Sequence, residues 1–276
     1  MPGLTSQAAT AADREGATWD EFVGELRRRA GIDFRGYKSS HLERRVRGLA
    51  LRSGLDGLSG LLTLLDRDPS ARRELERCAS VAVSEFFRTP RQFETLASGI
   101  LPRLLARRRQ LRIWSAGCSY GPEPYSLVLL LEELAPGRAH FILATDIDEA
   151  LLSRARAADS FTERDLLHVR PRLRQHFIPS RPPFHALRLE IRSRVMFRRH
   201  DVLDDPPEDD FDLIVCRNVM MYFSPAAKQR LLQNLHRALR PGGYLFVGDA
   251  EAVNDLQEAG FSRDVVGFYR KELGVS

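Results

Sequence analysis

The stretch LRIWSAGCSYGPEPYS, residues 111–126, decides how the rest of the chain is read. Leu111, Ile113 and Trp114 have the character of a buried strand, and Ala116-Gly117-Cys118-Ser119-Tyr120-Gly121 breaks it into a turn rich in small residues. Pro122 then opens a helix, where its missing N–H costs nothing, and Glu123 follows in the first turn, where a carboxylate suits the helix dipole. Strand, glycine turn and helix together are how an α/β sheet opens a crevice for a nucleotide-like ligand at its carboxyl edge. The turn reads G-x-x-x-G, not the G-x-G-x-x-G of dinucleotide sites. A pyrophosphate needs a bare helix N-terminus, so a proline and an acid there suit a cationic or neutral adenosyl ligand better. Taken alone, the turn is equally compatible with an ordinary βα connection in an enzyme whose site lies elsewhere.

Downstream, His140–Thr145 reads as a second buried strand ending in Asp146-Ile147-Asp148, followed by a helix that ends near Ala158. Residues 163–177 read as helical and basic, with Pro171 as a break, and the alternation in Phe184–Ile191 suggests a strand outside the main sheet. Val195–Val202, Phe211–Cys216 and Gly243–Gly248 complete the buried strands. A helix over Pro225–Leu239 stops at Arg240-Pro241-Gly242-Gly243, and Val265–Lys271 is expected as an edge strand. This alternation predicts an α/β fold with a doubly wound, mostly parallel sheet and helices on both faces. Its ligand site should lie where the strand ends converge, at Gly117, Asp146, Asp201 and Arg217-Asn218.

Upstream the pattern is helical. Residues 1–18 are small and polar and are expected to be a disordered tail. Helices are expected from Trp19 to near Gly31, and over Ser40–Ser53, Leu58–Leu65 and Ala71–Val83. After Ser84-Glu85-Phe86-Phe87-Arg88-Thr89-Pro90 comes an amphipathic segment through Phe93, Leu96, Ile100 and Leu104. The expected division is therefore a helical domain over 19–92, a linker helix over 93–110, and a ligand-binding domain over 111–276 with a small β insertion at about 178–194.

The chain has 276 residues, 43% hydrophobic and 29% charged, which is the composition of a soluble globular protein with room for one large or two smaller cores. No apolar run approaches a membrane span, and the N-terminus has no signal-peptide core, so no membrane insertion is expected. Three widely spaced cysteines, Cys78, Cys118 and Cys216, suggest neither a disulfide framework nor a metal site, which places the chain in a reducing cytoplasm. The net charge of +5 is carried almost wholly by arginine, which composition bias explains as readily as a nucleic-acid partner.

Several residues at the expected ligand edge are chemically suggestive. Asp146, 25 residues after Gly121, is placed to accept the hydroxyls of a ribose, while Asp148 is the better helix cap. Asp201 suits an adenine amino group or an ordinary loop, and Cys216 suits the core. Arg217-Asn218 directly after a buried strand is costly unless used or solvated. On the second helix, Arg44, Arg45, Arg47 and Arg52 form either a solvated face or a docking surface for an acidic helix.

Four blocks carry a family resemblance: SEFFRTPRQF (84–93), WSAGCSYGPEPYSL (114–127), ATDID (144–148) and CRNVMMYF (216–223). With GIDFRGYKSSHLERRV (31–46) and LRPGGYLFVGDAE (239–251), they make the chain resemble the CheR-type chemoreceptor glutamate O-methyltransferases, which use S-adenosylmethionine. The resemblance implies a class I methyltransferase-like sheet, a cytoplasmic enzyme, and a chemoreceptor helical domain or similar signalling protein as partner. It implies no nucleic acid and no metal. The strand-end Asp/Asn-Pro-Pro-aromatic usual in amino-directed nucleic-acid methyltransferases is absent. By resemblance, Ser84 and Arg88 close over the cofactor, Glu123 and Asp146 hold its methionine end and ribose, and Asp201 and Val202 flank the adenine. Gly117, Arg217 and Asn218 line the cofactor, Arg88 and Tyr222 lie nearest the transferred methyl, and Arg44, Arg45 and Arg47 dock the receptor. Three positions depart from the family pattern: Ala82 stands for a usual Asn, Pro122 for a frequent Glu, and Asp249-Ala250 for His-Ser. The first removes one hydrogen bond to cofactor, about 1 kcal/mol. A CheR-like scaffold that binds without turnover is the alternative these departures imply.

Overall fold

The computed structural model describes residues 17–80, 83–249, 251 and 253–272, and the chain divides into two compact units between Ala79 and Ser80. Most of the expected tail, together with Ala82 and Ala250, lies outside the described residues.

The first unit holds α1 (Trp19–Ala30), α2 (Ser39–Arg52), α3 (Gly57–Leu65) and α4 (Pro69–Ala79). Thr18 and Glu21 start α1 with a reciprocal capping box: the Glu21 N–H donates to Thr18 Oγ1 at 3.4 Å and the Thr18 N–H to Glu21 Oε2 at 2.9 Å. Gly31, at φ +66°, ends the helix in the left-handed region that favours a residue without Cβ. Phe22, Leu26, Val46, Leu61 and Leu75 are each at most 1% exposed and give the unit its own core. The helix expected to reach Val83 stops at Ala79.

The expected domain boundary at residue 92 is corrected. α5 (Pro90–Thr95), a π-helical turn over Leu96–Ile100 and α6 (Leu101–Arg107) follow one another without a break. Phe93, Leu96, Ile100, Leu101 and Leu104 pack in the same cluster as the sheet residues Ile113, Leu213 and Phe246, so this stretch is part of the second unit's core and not a linker. The π turn has a local cause. Leu101 N–H donates to Leu96 O, and the next residue, Pro102, has no N–H to restore the regular spacing.

β1 (Arg112–Ala116), α7 (Pro122–Leu134), β2 (Phe141–Asp146) and α8 (Glu149–Ala157) follow as the alternation predicts. The segment expected to be helical over 163–177 is instead turns and a short 3-10 helix over Pro171–His176. Thr162 and Asp165 form a reciprocal capping pair there, the Thr162 N–H donating to Asp165 Oδ2 at 2.7 Å and the Asp165 N–H to Thr162 Oγ1 at 3.3 Å, but only turns follow it, and Pro171 prevents recovery of a long helix. β3 (Phe177–Pro179) and β4 (His185–Leu187) form a separate antiparallel pair, the expected β insertion. The strand expected to run on to Ile191 gives way to α9 (Leu189–Arg192).

β5 (Val195–Arg199), β6 (Phe211–Cys216), α10 (Pro225–Ala238), β7 (Leu239–Val247), α11 (Val253–Glu258), β8 (Phe261–Val265) and β9 (Phe268–Lys271) complete the unit. The main sheet has seven strands in the order β5-β2-β1-β6-β7-β9-β8. β5, β2, β1, β6 and β7 are mutually parallel, and β9 and β8 run antiparallel at the end. β6, FDLIVC, is buried at every position, as a parallel strand covered on both faces must be. Val265–Lys271 is not the edge: β9 is interior, and β8 takes the edge beyond the turn at Gly267. The chain winds outward from β1 through β2 to β5 and returns to β6, so the switch in direction falls between β1 and β6. A crevice at the carboxyl ends of those two strands is where such a sheet binds ligands.

Candidate active site

At the end of β1 the glycine turn is pinned to β2, with the Gly117 and Cys118 N–H groups both donating to Thr145 O at 2.8 and 2.9 Å. Gly117 is at φ +82°, and a Cβ there would stand 2.6 Å from Val219 Cγ2 in the loop after β6. The bare glycine thus lets the β1 and β6 loops approach. The Ser119 N–H donates to Asp146 Oδ2 at 2.8 Å, and the Asp148 N–H to Asp146 Oδ1 at 3.0 Å. Asp146 is buried at the end of β2. Burial pushes its carboxyl above the ordinary aspartate value, and these backbone donors pull it back. Each oxygen retains a second lone pair for a further donor. Asp148 caps α8 by accepting from the Ala150 N–H at 2.9 Å. Asp201, past the end of β5, is half-buried and accepts the Leu203 N–H at 2.9 Å within its own turn, while Val202 is buried.

Glu123 and Arg217 face each other across the crevice. Glu123 Oε1 accepts from the Ser115 hydroxyl at 2.8 Å, and its Oε2 is 3.5 Å from Arg217 Nη1. Burial raises the Glu123 carboxyl above its usual range against the pull of Arg217. The Arg217 side chain is only 2% exposed, and burial lowers the guanidinium pKa although Glu123 supports its charge. The guanidinium lies 4.7 Å from the ring centre of Phe246 and 5.3 Å from that of Phe93. Its Nη2 donates to Arg88 O at 2.7 Å and Gln92 Oε1 at 2.9 Å.

Segment 83–89 lies docked along this edge. The Tyr120 hydroxyl shares its one proton between Ser84 O and Asp165 Oδ1, the Phe86 N–H donates to Asp165 O, and the Phe87 N–H donates to Ser126 Oγ. Phe87 and Thr89 adopt positive φ. Four tethers, counting Arg217 to Arg88 O, make this a fixed strap over the first turn of α7.

On the far side, Asn218 is left-handed at φ +59°, and Met220–Tyr222 forms a 3-10 turn that carries a half-buried Tyr222. Glu251 holds this loop. Its Oε1 accepts the Val219 and Met220 N–H groups at 3.1 and 2.9 Å, and its Oε2 accepts the Gly248 N–H at 2.7 Å. The structure therefore brings Ser84, Arg88, Gly117, Glu123, Asp146, Arg217 and Asn218 to one edge of the sheet unit, with Gln92 and Glu251 as supports that the sequence reading did not single out. Buried Cys118 and Cys216 have thiols pushed well up by burial and belong to the packing. In the helical unit three of the four arginines of α2, the ones expected to dock a partner, differ: Arg44 is exposed, Arg45 donates to Arg77 O at 3.1 Å, and Arg47 pairs with Glu43 at 2.7 Å.

The edge presents a half-buried carboxylate, Glu123, a buried one, Asp146, and the bare Gly117, groups that fit an S-adenosyl ligand. Ser119 Oγ and Arg217 Nε are buried here with no protein partner. Such atoms fit a site built to meet a polar ligand. Among the described residues no cluster of His, Cys, Asp and Glu is arranged to hold a metal, and no helix is long and apolar enough to cross a membrane.

Comparison with known proteins gives the family. The family profile described as CheR methyltransferase, SAM binding domain, matches residues 82–264, and that of the CheR methyltransferase all-alpha domain matches residues 17–78. A chemotaxis protein methyltransferase of Listeria innocua is 33% identical over 91% of this chain and 95% of its own. Chemotaxis protein methyltransferase 1 of Pseudomonas aeruginosa is 34% identical over 88% of this chain and 92% of its own. Among solved structures, PKMT2 from Rickettsia typhi in complex with AdoHcy has a TM-score of 0.37 and 19% identity over 60% of this chain and 26% of its own. The chain belongs to the CheR methyltransferase family, as a chemotaxis methyltransferase whose cofactor is S-adenosylmethionine.

Proposed function

We propose that the protein esterifies glutamate side chains on the cytoplasmic helical domain of a chemoreceptor or similar signalling protein. The observation that carries this is an edge with opposed charges, Glu123 against Arg217 with Arg88 beside them. A glutamate carboxylate has an ordinary pKa of about 4.3 and is ionised at neutral pH, so it needs no base. When bound, S-adenosylmethionine supplies an electrophilic methyl on a sulfonium. The protein's own work is alignment and exclusion of water. Glu123 holds the ammonium, Asp146 the ribose hydroxyls, and Asp201 and Val202 the adenine side. Ser84, Gly117, Arg217 and Asn218 line the cofactor. Arg88 orients the incoming carboxylate and Tyr222 shapes the methyl pocket. On the helical unit, Arg44, Arg45 and Arg47 dock an acidic helix, with Arg44 the most available.

The test is transfer of labelled methyl from S-adenosylmethionine to a purified chemoreceptor cytoplasmic fragment, with base-labile release of methanol as the signature of an ester. Incorporation is expected, with Arg88→Ala reducing kcat about 100-fold, the order of loss for a misaligned reactant. Cofactor binding without base-labile incorporation would leave the scaffold role instead.

A further inference from the structure

Gln92 is buried at 5% exposure at the start of the helical stretch after the strap, and all of its side-chain polar atoms are engaged. Its Oε1 accepts from Arg217 Nη2 at 2.9 Å, and its Nε2 donates to Val247 O at 3.3 Å and to Asp249 Oδ1 at 2.5 Å. The chemistry of the partners fixes which way the amide points. A guanidinium has only donors, and a carbonyl and a carboxylate have only acceptors, so the flipped amide would oppose donor to donor and acceptor to acceptor. Gly267, at φ +82°, leaves the necessary room, since a Cβ there would stand 2.4 Å from Gln92 Nε2.

From this arrangement we infer that Gln92 is a positioning residue for the cofactor site. It holds the Arg217 guanidinium in register with Glu123, and Asp249 holds the Gln92 amide the right way round. The inference rests on Arg217 belonging to the cofactor site. The guanidinium needs such a holder. Its salt bridge to Glu123 is long at 3.5 Å, its Nε has no partner, and the two rings beside it constrain its plane but offer no acceptor oxygen. Orientation about the long axis is therefore set at Nη2, by Arg88 O and Gln92 Oε1. Asp249, which stands where the family commonly has histidine, is an exposed residue whose carboxylate takes part in this chain. It terminates the Gln92 hydrogen bond and adds negative charge that favours the charged form of Arg217.

The test is a double-mutant cycle on full-length protein, with S-adenosylhomocysteine affinity read by calorimetry and thermal midpoints recorded in parallel. Gln92→Leu is expected to weaken binding about tenfold in the native background and less than about twofold when Arg217→Met is already present. Asp249→Ala, an exposed change that should fold, is expected to weaken binding about threefold with the melting point little altered. If Arg217→Met alone leaves affinity unchanged, the placement of Arg217 in the cofactor site fails, and the inference fails with it. If Arg217→Met weakens binding but Gln92→Leu does not, or weakens it by the same factor in both backgrounds, the inference about Gln92 alone is overturned. Should Gln92→Leu not fold, unchanged affinity in Asp249→Ala overturns it.

Discussion

Glu123 combines burial with a facing cation, and the two act oppositely on its proton. Burial raises its folded-state value above the ordinary 4.5, so the folded protein holds this proton to higher pH than the unfolded chain does. The group therefore costs stability as pH rises from the unfolded value through the raised one. A ligand ammonium reverses the balance by favouring the carboxylate. Affinity for S-adenosylhomocysteine is accordingly expected to hold steady above the raised value and to fall as pH drops through it, starting above the usual glutamate range. Glu123→Gln should weaken binding roughly tenfold at neutral pH and flatten this dependence. A wild-type affinity that declines no more than that of Glu123→Gln on acidification from neutral pH down to the ordinary glutamate value would remove Glu123 from the ammonium site.

At the scale of elements, the loop after β6 and the end of β7 are joined by one side chain. Glu251 accepts three backbone N–H groups, from Val219, Met220 and Gly248. Glu251→Gln keeps one acceptor oxygen and sets an N–H₂ against a backbone donor. An expected loss of about 2–3 kcal/mol follows from one or two unsatisfied buried donors. Denaturant unfolding with an unchanged midpoint would show that the loop is held otherwise. This support was not legible in the sequence, because Glu251 reaches Val219 across 32 positions and Gln92 reaches Arg217 across 125, and no periodicity records such distances. What was legible is local. Gly121 and Pro122 start α7, and the expected span Pro122–Leu134 is the observed one. The 163–177 stretch misled because Thr162 and Asp165 open it with a helix-starting capping pair, yet Pro171 lacks the N–H that a continuing helix needs. β8 has no apolar run to read, since only Phe261 of its five residues is buried.

At the scale of the whole chain, the apolar pattern identified a helical part and a sheet part but did not place the division between them. The 90–107 stretch is amphipathic in either case, and an amphipathic pattern says that a face is buried without naming the core that buries it. The convergence at the β1–β6 switch was legible because alternating strands and helices leave few topologies, and each puts the strand ends at one edge. The two units have separate cores, one around Phe22 and Val46 and the other around Leu213 and Phe246. Nothing in that arrangement requires them to unfold together.

The three cysteines turn this separation into a pair of clocks. Cys78 is buried in the helical unit, and Cys118 and Cys216 are buried in the sheet unit, each with a thiol that burial keeps protonated and unreactive. A thiol reagent can therefore label each unit only when that unit opens, and the rates report two opening equilibria in one native, untagged sample. Added S-adenosylhomocysteine is expected to slow labelling at Cys118 and Cys216, and to leave the rate at Cys78 as it was. Equal slowing at all three, read by mass spectrometry of the labelled peptides, would show that the units open as one.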